Sequence, residues 1–197
     1  MKKMGHRMVH NPSICWEVGQ TSPTMRTASG LYVDLLNPKP ESINIGDIAH
    51  SLANQCRWTG HTKEFFSVAQ HSILVSRLCP TDLKLAGLLH DAAEAYTCDI
   101  SSPLKAVLGG EASKYKQVQH QITKVIFSRY GLQSLPDPRI KIADLGAAAI
   151  ESHQLMGKLV AGLKVPYGFE GLELVPLSPS SAKAEFLWTF ASLVGAA

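Results

Sequence analysis

The stretch LLHDAAEAY, residues 88 to 96, constrains the fold of this chain more than any other. Leu88, Leu89, Ala92, Ala93 and Ala95 read as buried helix, yet His90, Asp91 and Glu94 stand among them. A carboxylate without a partner in an apolar site is expensive. A fold that buries this stretch must therefore bring something to these groups. Read as one helix, DLKLAGLLHDAAEAY is capped by Thr81 and carries a stripe of Leu83, Ala86, His90 and Ala93. Glu94 shares the face of His90 one turn on, and Asp91 lies about 100° around the axis.

Helical periodicity dominates from Ile45 onward. GDIAHSLANQCRW places Ile48, Leu52 and Cys56 on one face, and SVAQHSILVSRLC places Val68, Val75 and Leu78 on another with Ser67 as cap. EASKYKQVQHQITKVIFSRYG repeats Val118, Ile122, Val125 and Ile126 and stops at Gly131. PRIKIADLGAAAIESHQLM lines up Ile140, Ala143, Ala147 and Ile150, and SAKAEFLWTFASLV closes the chain as an apolar helix after the connector KVPYGFEGLELVPLSPS. The expected fold is all-α, a bundle of about six helices over residues 45–197. Residues 1–44 are expected to form an arm or β-hairpin packed on it, turning at Ala28-Ser29-Gly30.

The charge balance excludes several functions. With 19 Lys and Arg against 16 Asp and Glu, and no basic run beyond the opening KK, nothing argues for a nucleic-acid polymer as partner. No apolar run approaches the roughly 20 residues that span a bilayer, and the N-terminus lacks the apolar core of a secretory signal. Cys15, Cys56, Cys79 and Cys98 form no C-x-x-C pair. Reduced thiols, no membrane association and a cytoplasmic location are expected, with Cys56, Cys79 and Cys98 as small buried residues.

Two more helices repeat the anomaly of LLHDAAEAY. His71 lies three residues after Val68 and four before Val75, and Asp144 lies beside Ala143 and Ala147. Three helices thus offer inward groups of metal-ligand type: His71, His90 with Asp91, and Asp144. One shared cation accounts for all four more simply than several unrelated buried hydrogen bonds.

The order His, His-Asp, distant Asp resembles the HD-domain superfamily of metal-dependent phosphohydrolases. VAQHSILVS and LLHDAAEAYTCDISSPLK resemble signature stretches of its 5′-deoxynucleotidase-like branch, and the resemblance covers about residues 45 to 155. It implies a helical fold with metal ligands His71, His90, Asp91 and Asp144. It also implies a phosphate-gripping Arg57, a sugar-lining Trp58, acidic groups Glu94 and Asp99 that manage protons and the attacking water, and Lys105 near the phosphate. The chain departs from the family pattern at Cys98, where Gly is usual, at Ser101, where Pro is common, and in its longer N-terminal arm.

The implied activity is hydrolysis of a small-molecule (deoxy)nucleotide, led by release of phosphate from a deoxynucleoside 5′-monophosphate. The alternatives are release of triphosphate from a deoxynucleoside triphosphate, or a non-catalytic module that holds metal and nucleotide. A divalent ion would neutralise phosphoryl oxygens and make water nucleophilic. The donor set suits one Mn, Co, Fe, Ni or Zn ion. A homo-oligomer is expected from the resemblance.

Other groups are weighed by position. His61 is a further substrate-binding candidate, and His50, Asn54, Arg57 and His61 recur at near-helical spacing as a possible polar wall. Glu151, seven residues after Asp144, can support a ligand from behind. His120 reads as a solvated face; no second histidine between Asp91 and Asp144 accompanies it, which favours one metal over two. His6, His10 and His153 have no second partner.

Overall fold

The structure, a computed structural model, describes residues 23–133, 137–169 and 171–195. The expectations for His6, His10, Cys15 and the first part of the arm lie outside the described residues. Eight α-helices and one two-stranded antiparallel sheet are present among those described.

The hairpin pairs β1 (Thr24–Arg26) with β2 (Tyr32–Asp34), with Met25 opposite Val33. Gly30 supplies the left-handed turn residue at φ 89°. Asp47 ties the turn to the helical body, accepting from the Ser29 amide at 2.7 Å and from Ser29 Oγ at 2.6 Å. Val33 is fully buried in the common core.

Asn44 caps α1 (Ile45–Asn54) and Ser67 caps α2 (Val68–Leu78), each with a side-chain oxygen on first-turn amides. α2 is buried without a break from Val68 to Ser76 and packs on α1, α3 (Lys84–Leu88), α7 (Pro138–Leu155) and α8 (Pro179–Gly195), so it is the central rod of the bundle. α6 (Lys114–Arg129) ends in a Schellman turn. There the Leu132 amide reaches Phe127 O at 2.8 Å, and Gly131 sits at φ 71°. Asp137 caps α7 (Pro138–Leu155), with Pro138 in its first turn. The expected stripe of Ile140, Ala143, Ala147 and Ile150 is buried. α8 (Pro179–Gly195) buries Ala182 and Phe186 against α1, α2 and α3. None of these helices is long and apolar enough to cross a membrane.

Three expectations are corrected. Residues 81–96 are not one helix capped by Thr81. A 3₁₀ turn at Thr81–Leu83 leads into α3 (Lys84–Leu88), a run of turns follows, and α4 (Glu94–Thr97) resumes. Neither short helix start has a side-chain cap. Between them the amides of Ala92, Glu94, Ala95 and Tyr96 bond three residues back, to Leu89, Asp91, Ala92 and Ala93. This tighter winding re-aims the side chains of residues 90 and 91.

Cys56 does not continue the stripe of Ile48 and Leu52. The chain leaves α1 after Asn54 and makes an antiparallel bridge between Cys56 and Ser67, which leaves the thiol exposed. Cys98 is exposed too, and of the three expected buried cysteines only Cys79 is buried.

Candidate metal centre and adjoining cleft

α2 delivers His71, the turn after α3 delivers His90 and Asp91, and α7 delivers Asp144. His71 Nε2 lies 3.2 Å from Asp144 Oδ1 and 3.6 Å from Asp91 Oδ2. His90 Nε2 lies 3.0 Å from Asp91 Oδ2 and 4.0 Å from Asp144 Oδ1. His71, His90 and Asp144 each offer one donor atom within 4.8 Å of the others, a group that could hold a metal ion. Ligand atoms about 2.1 Å from one ion stand about 3.0 Å apart at right angles and about 3.4 Å apart in a tetrahedron. The observed separations lie around those values.

The orientation of the rings is the stronger test of fit. His71 Nδ1 donates to Glu151 Oε1 at 2.6 Å, and His90 Nδ1 donates to the Gly87 carbonyl at 2.8 Å. Each bond leaves the opposite nitrogen, Nε2, as the ligand atom. Both Nε2 atoms are buried and make no hydrogen bond, although carboxylate oxygens lie nearby. Two buried imidazole nitrogens without a hydrogen bond, beside two carboxylates, could hold a divalent cation.

Without a cation, protons compensate. Burial and Arg57 pull the pKa of His71 down, but Glu151 and Asp144 overcome both and push it up to about 10. Burial also lowers His90, and Asp91 more than offsets it, so His90 is raised. Asp91 and Asp144 resist the upward pull of burial and are held well below the usual carboxylate range by the two imidazoles.

Glu151 joins this centre to Arg57 and Trp58. Its Oε2 accepts from Arg57 Nε at 3.2 Å and from Trp58 Nε1 at 3.0 Å, while Oε1 holds His71. Spacing identified Glu151 as a support for the site; its contacts with residues almost a hundred positions away were not legible. Arg57 Nη1 pairs with Asp99 Oδ2 at 3.2 Å. The turn that presents Arg57 is strained, with Trp58 at φ 56° and Thr59 at φ 54°.

Gln55 holds the other side of this turn in place, a role with no sequence signal. Its Nε2 donates to Glu94 O at 3.0 Å, and its Oε1 accepts the Asp99 amide at 2.9 Å. Cys98, just before Asp99, sits at φ 64° and ψ 155°, backbone that strongly favours glycine.

A cleft of about 570 Å³ opens beside the centre, with His90, Asp91 and Asp144 in its wall. Glu94 and Lys105 line it, 3.0 Å apart. Burial raises the pKa of Glu94, the carboxylates of Asp91 and Asp99 raise it further, and Lys105 only partly opposes them; it reaches about 8. α6 contributes Lys116, His120, Thr123 and Lys124 to its lining. His120 is solvent-exposed, as expected, but it faces this cleft.

His61 is exposed at the end of the strained turn, where its amide donates to Trp58 O. His50 and Asn54 are exposed on α1, and neither they nor His61, Arg57, Trp58 and Asp99 are among the residues that line the cleft. α1 ends at Asn54, so the helical spacing that suggested a wall through Arg57 and His61 does not continue.

No protein-family profile matches the chain. The uncharacterized protein YfdR of Escherichia coli K12 is 38% identical over 174 residues, covering 86% of this chain and 94% of that protein. The uncharacterized protein RCAP_rcc00048 of Rhodobacter capsulatus is 36% identical over 180 residues, covering 82% of this chain and 90% of that protein. With this identity running through nearly the whole of both relatives, the chain belongs to the family of YfdR and RCAP_rcc00048.

Proposed function

We propose that this chain is a divalent-cation-dependent phosphohydrolase of the HD-domain kind, acting on (deoxy)nucleotides. Release of phosphate from a deoxynucleoside 5′-monophosphate is the leading reaction. The single observation that carries this reading is the pair of buried Nε2 atoms of His71 and His90, converging with Asp91 and Asp144 at the wall of a cleft.

His71, His90, Asp91 and Asp144 would hold one ion, which neutralises phosphoryl charge and makes water nucleophilic near neutral pH. The remaining work falls to side chains. Arg57 has Nε on Glu151 and one Nη1 contact on Asp99, so part of its five-donor fork remains to grip a phosphoryl oxygen while its plane is held rigid. Lys105 adds a second positive charge from across Glu94.

Glu94 is the general acid. Its raised pKa keeps the carboxyl protonated near neutrality, and Lys105 orients it. As water attacks phosphorus and the P–O ester bond breaks, the Glu94 proton passes to the departing sugar oxygen. Asp99, fixed by Arg57 and by its own amide on Gln55, accepts the proton of the attacking water. Trp58, pinned through Nε1, offers a rigid face to the sugar.

The test is phosphate and triphosphate release from a panel of deoxy- and ribonucleotides, with protein loaded with Mn, Co, Fe, Ni or Zn. The reading expects cation-dependent turnover that Glu94→Ala reduces about 10²–10⁴-fold while the ion stays bound. Triphosphate as the released product would select the triphosphohydrolase reading. Stoichiometric metal and nucleotide binding without turnover by any loaded form would make the chain a sensor.

A further inference from the structure

We propose that the α6 wall of the cleft is a second anion subsite, which takes a second phosphoryl group carried by the same nucleotide. This inference rests on the phosphohydrolase reading and, within it, favours a nucleotide with a second phosphoryl group over the simple 5′-monophosphate.

The cleft is larger than one phosphate and its ion need, and at about 570 Å³ it falls within the roughly 300–1,000 Å³ of small-molecule sites. Lys116, His120 and Lys124 stand at successive turns of α6, about 6 Å apart along the axis, with Thr123 between the last two. They line the same cavity as His90, Asp91 and Asp144.

The pairing of charges leaves a surplus. Of the carboxyl groups lining the cleft outside the ligand set, Glu94 is held on Lys105, the lysine already assigned to the reacting phosphate, Glu111 has Lys116, and Asp137 has Arg139. No carboxylate among the described residues pairs with Lys124 or with His120. Lys141 Nζ rests on Asp144 Oδ2 at 2.6 Å, a carboxylate assigned to the ion. Lys124 and Lys141 therefore line the cavity without a dedicated counter-charge, and the His120 ring lines it with them as a hydrogen-bonding group. An anion in reach of Lys124 and Lys141 supplies it.

A second phosphoryl group can come from a 5′-di- or triphosphate chain or from a 3′-phosphate. The cation-loaded protein is assayed with a deoxynucleoside monophosphate and with the di- and triphosphates and the 3′,5′-bisphosphate of the same base. At least one substrate with a second phosphoryl group is expected to show a kcat/KM ten or more times that of the monophosphate, and the arm that gains identifies the source. In the double variant Lys124→Met, His120→Asn that ratio should fall at least fivefold, and Lys124→Arg should retain it.

A wild-type ratio near one, or a ratio the double variant leaves unchanged, overturns the subsite. If no nucleotide is hydrolysed, the phosphohydrolase reading fails. The subsite is then decided by calorimetric titration with inorganic pyrophosphate: binding that the double variant loses supports it, and absent or unaltered binding overturns it.

Discussion

Replacing Glu151 by Gln removes one charge and exchanges one acceptor oxygen for a donor, in a position with no exposure to solvent. The carboxylate receives three donors: His71 Nδ1 on one oxygen, Arg57 Nε and Trp58 Nε1 on the other. An amide cannot accept all three. With its oxygen toward His71, its NH₂ meets the two N–H groups of Arg57 and Trp58. Turned over, its NH₂ meets His71 Nδ1 and forces the proton onto Nε2, where it blocks the ligand lone pair.

Stranding a buried donor costs about 1–3 kcal/mol, and breaking a buried ion pair from one side costs about 3–5 kcal/mol. Asp99 remains beside Arg57 and recovers part of that loss. The net expectation is about 2–4 kcal/mol, a fall in Tm of roughly 5–15 °C for a chain of this size. Removing the group that orients a ligand histidine should also weaken cation binding about 10–100-fold. Thermal melts of the cation-free variant and competition against a chelating dye measure the two effects separately. A variant that melts within about 2 °C of the wild type and binds Mn or Co equally well would refute the view of Glu151 as the joint between ligand and substrate-binding turn.

The cation-free protein should lose stability as pH rises. His71 has its folded pKa raised from 6.5 to about 10, so its contribution is complete below pH 6.5 and is lost as pH climbs through 10. In that window the slope approaches about 1.4 kcal/mol per pH unit, and a saturating divalent cation should remove it by displacing the proton. Denaturant melts from pH 6 to 10, with chelator and with metal, check the sign. Gly87→Ala places a Cβ 2.7 Å from Cys79 Sγ at the contact of α3 with α2, one turn before His90. It should cost about 1–3 kcal/mol and weaken cation binding, as read by melting and titration. Cys98→Gly should raise stability by about 1 kcal/mol, because the backbone at residue 98 is strained for any side chain; an unchanged or lower Tm would count against that strain.

Part of the site is legible in local pattern. His71, His90 and Asp144 stand out because each interrupts a stripe of apolar residues, and the structure gathers them within 4.8 Å. The cap at Ser67 and the stop at Gly131 are equally readable, since a cap depends on a few neighbouring residues. The break after Leu88 was not readable. The apolar run through LLHDAAEAY satisfies an unbroken helix just as well, and the clamp of Gln55 on Glu94 O and Asp99 N comes from the residue that follows α1, some forty residues away. Cys56 failed for the related reason that its helix ends at an inter-segment bridge.

Periodicity, capping residues and misplaced polar groups are properties of short windows, so the chain's own letters determined the helical class, the helix start at Ser67, the stop at Gly131 and the candidate ligands His71, His90 and Asp144. Which nitrogen of each imidazole is left for an ion, how Glu151 joins His71 to Arg57 and Trp58, and which face of α6 closes the cleft were decided only by the packed bundle. Those features depend on distances of about 3 Å between residues far apart in the chain, and only the packing of buried helices sets such distances.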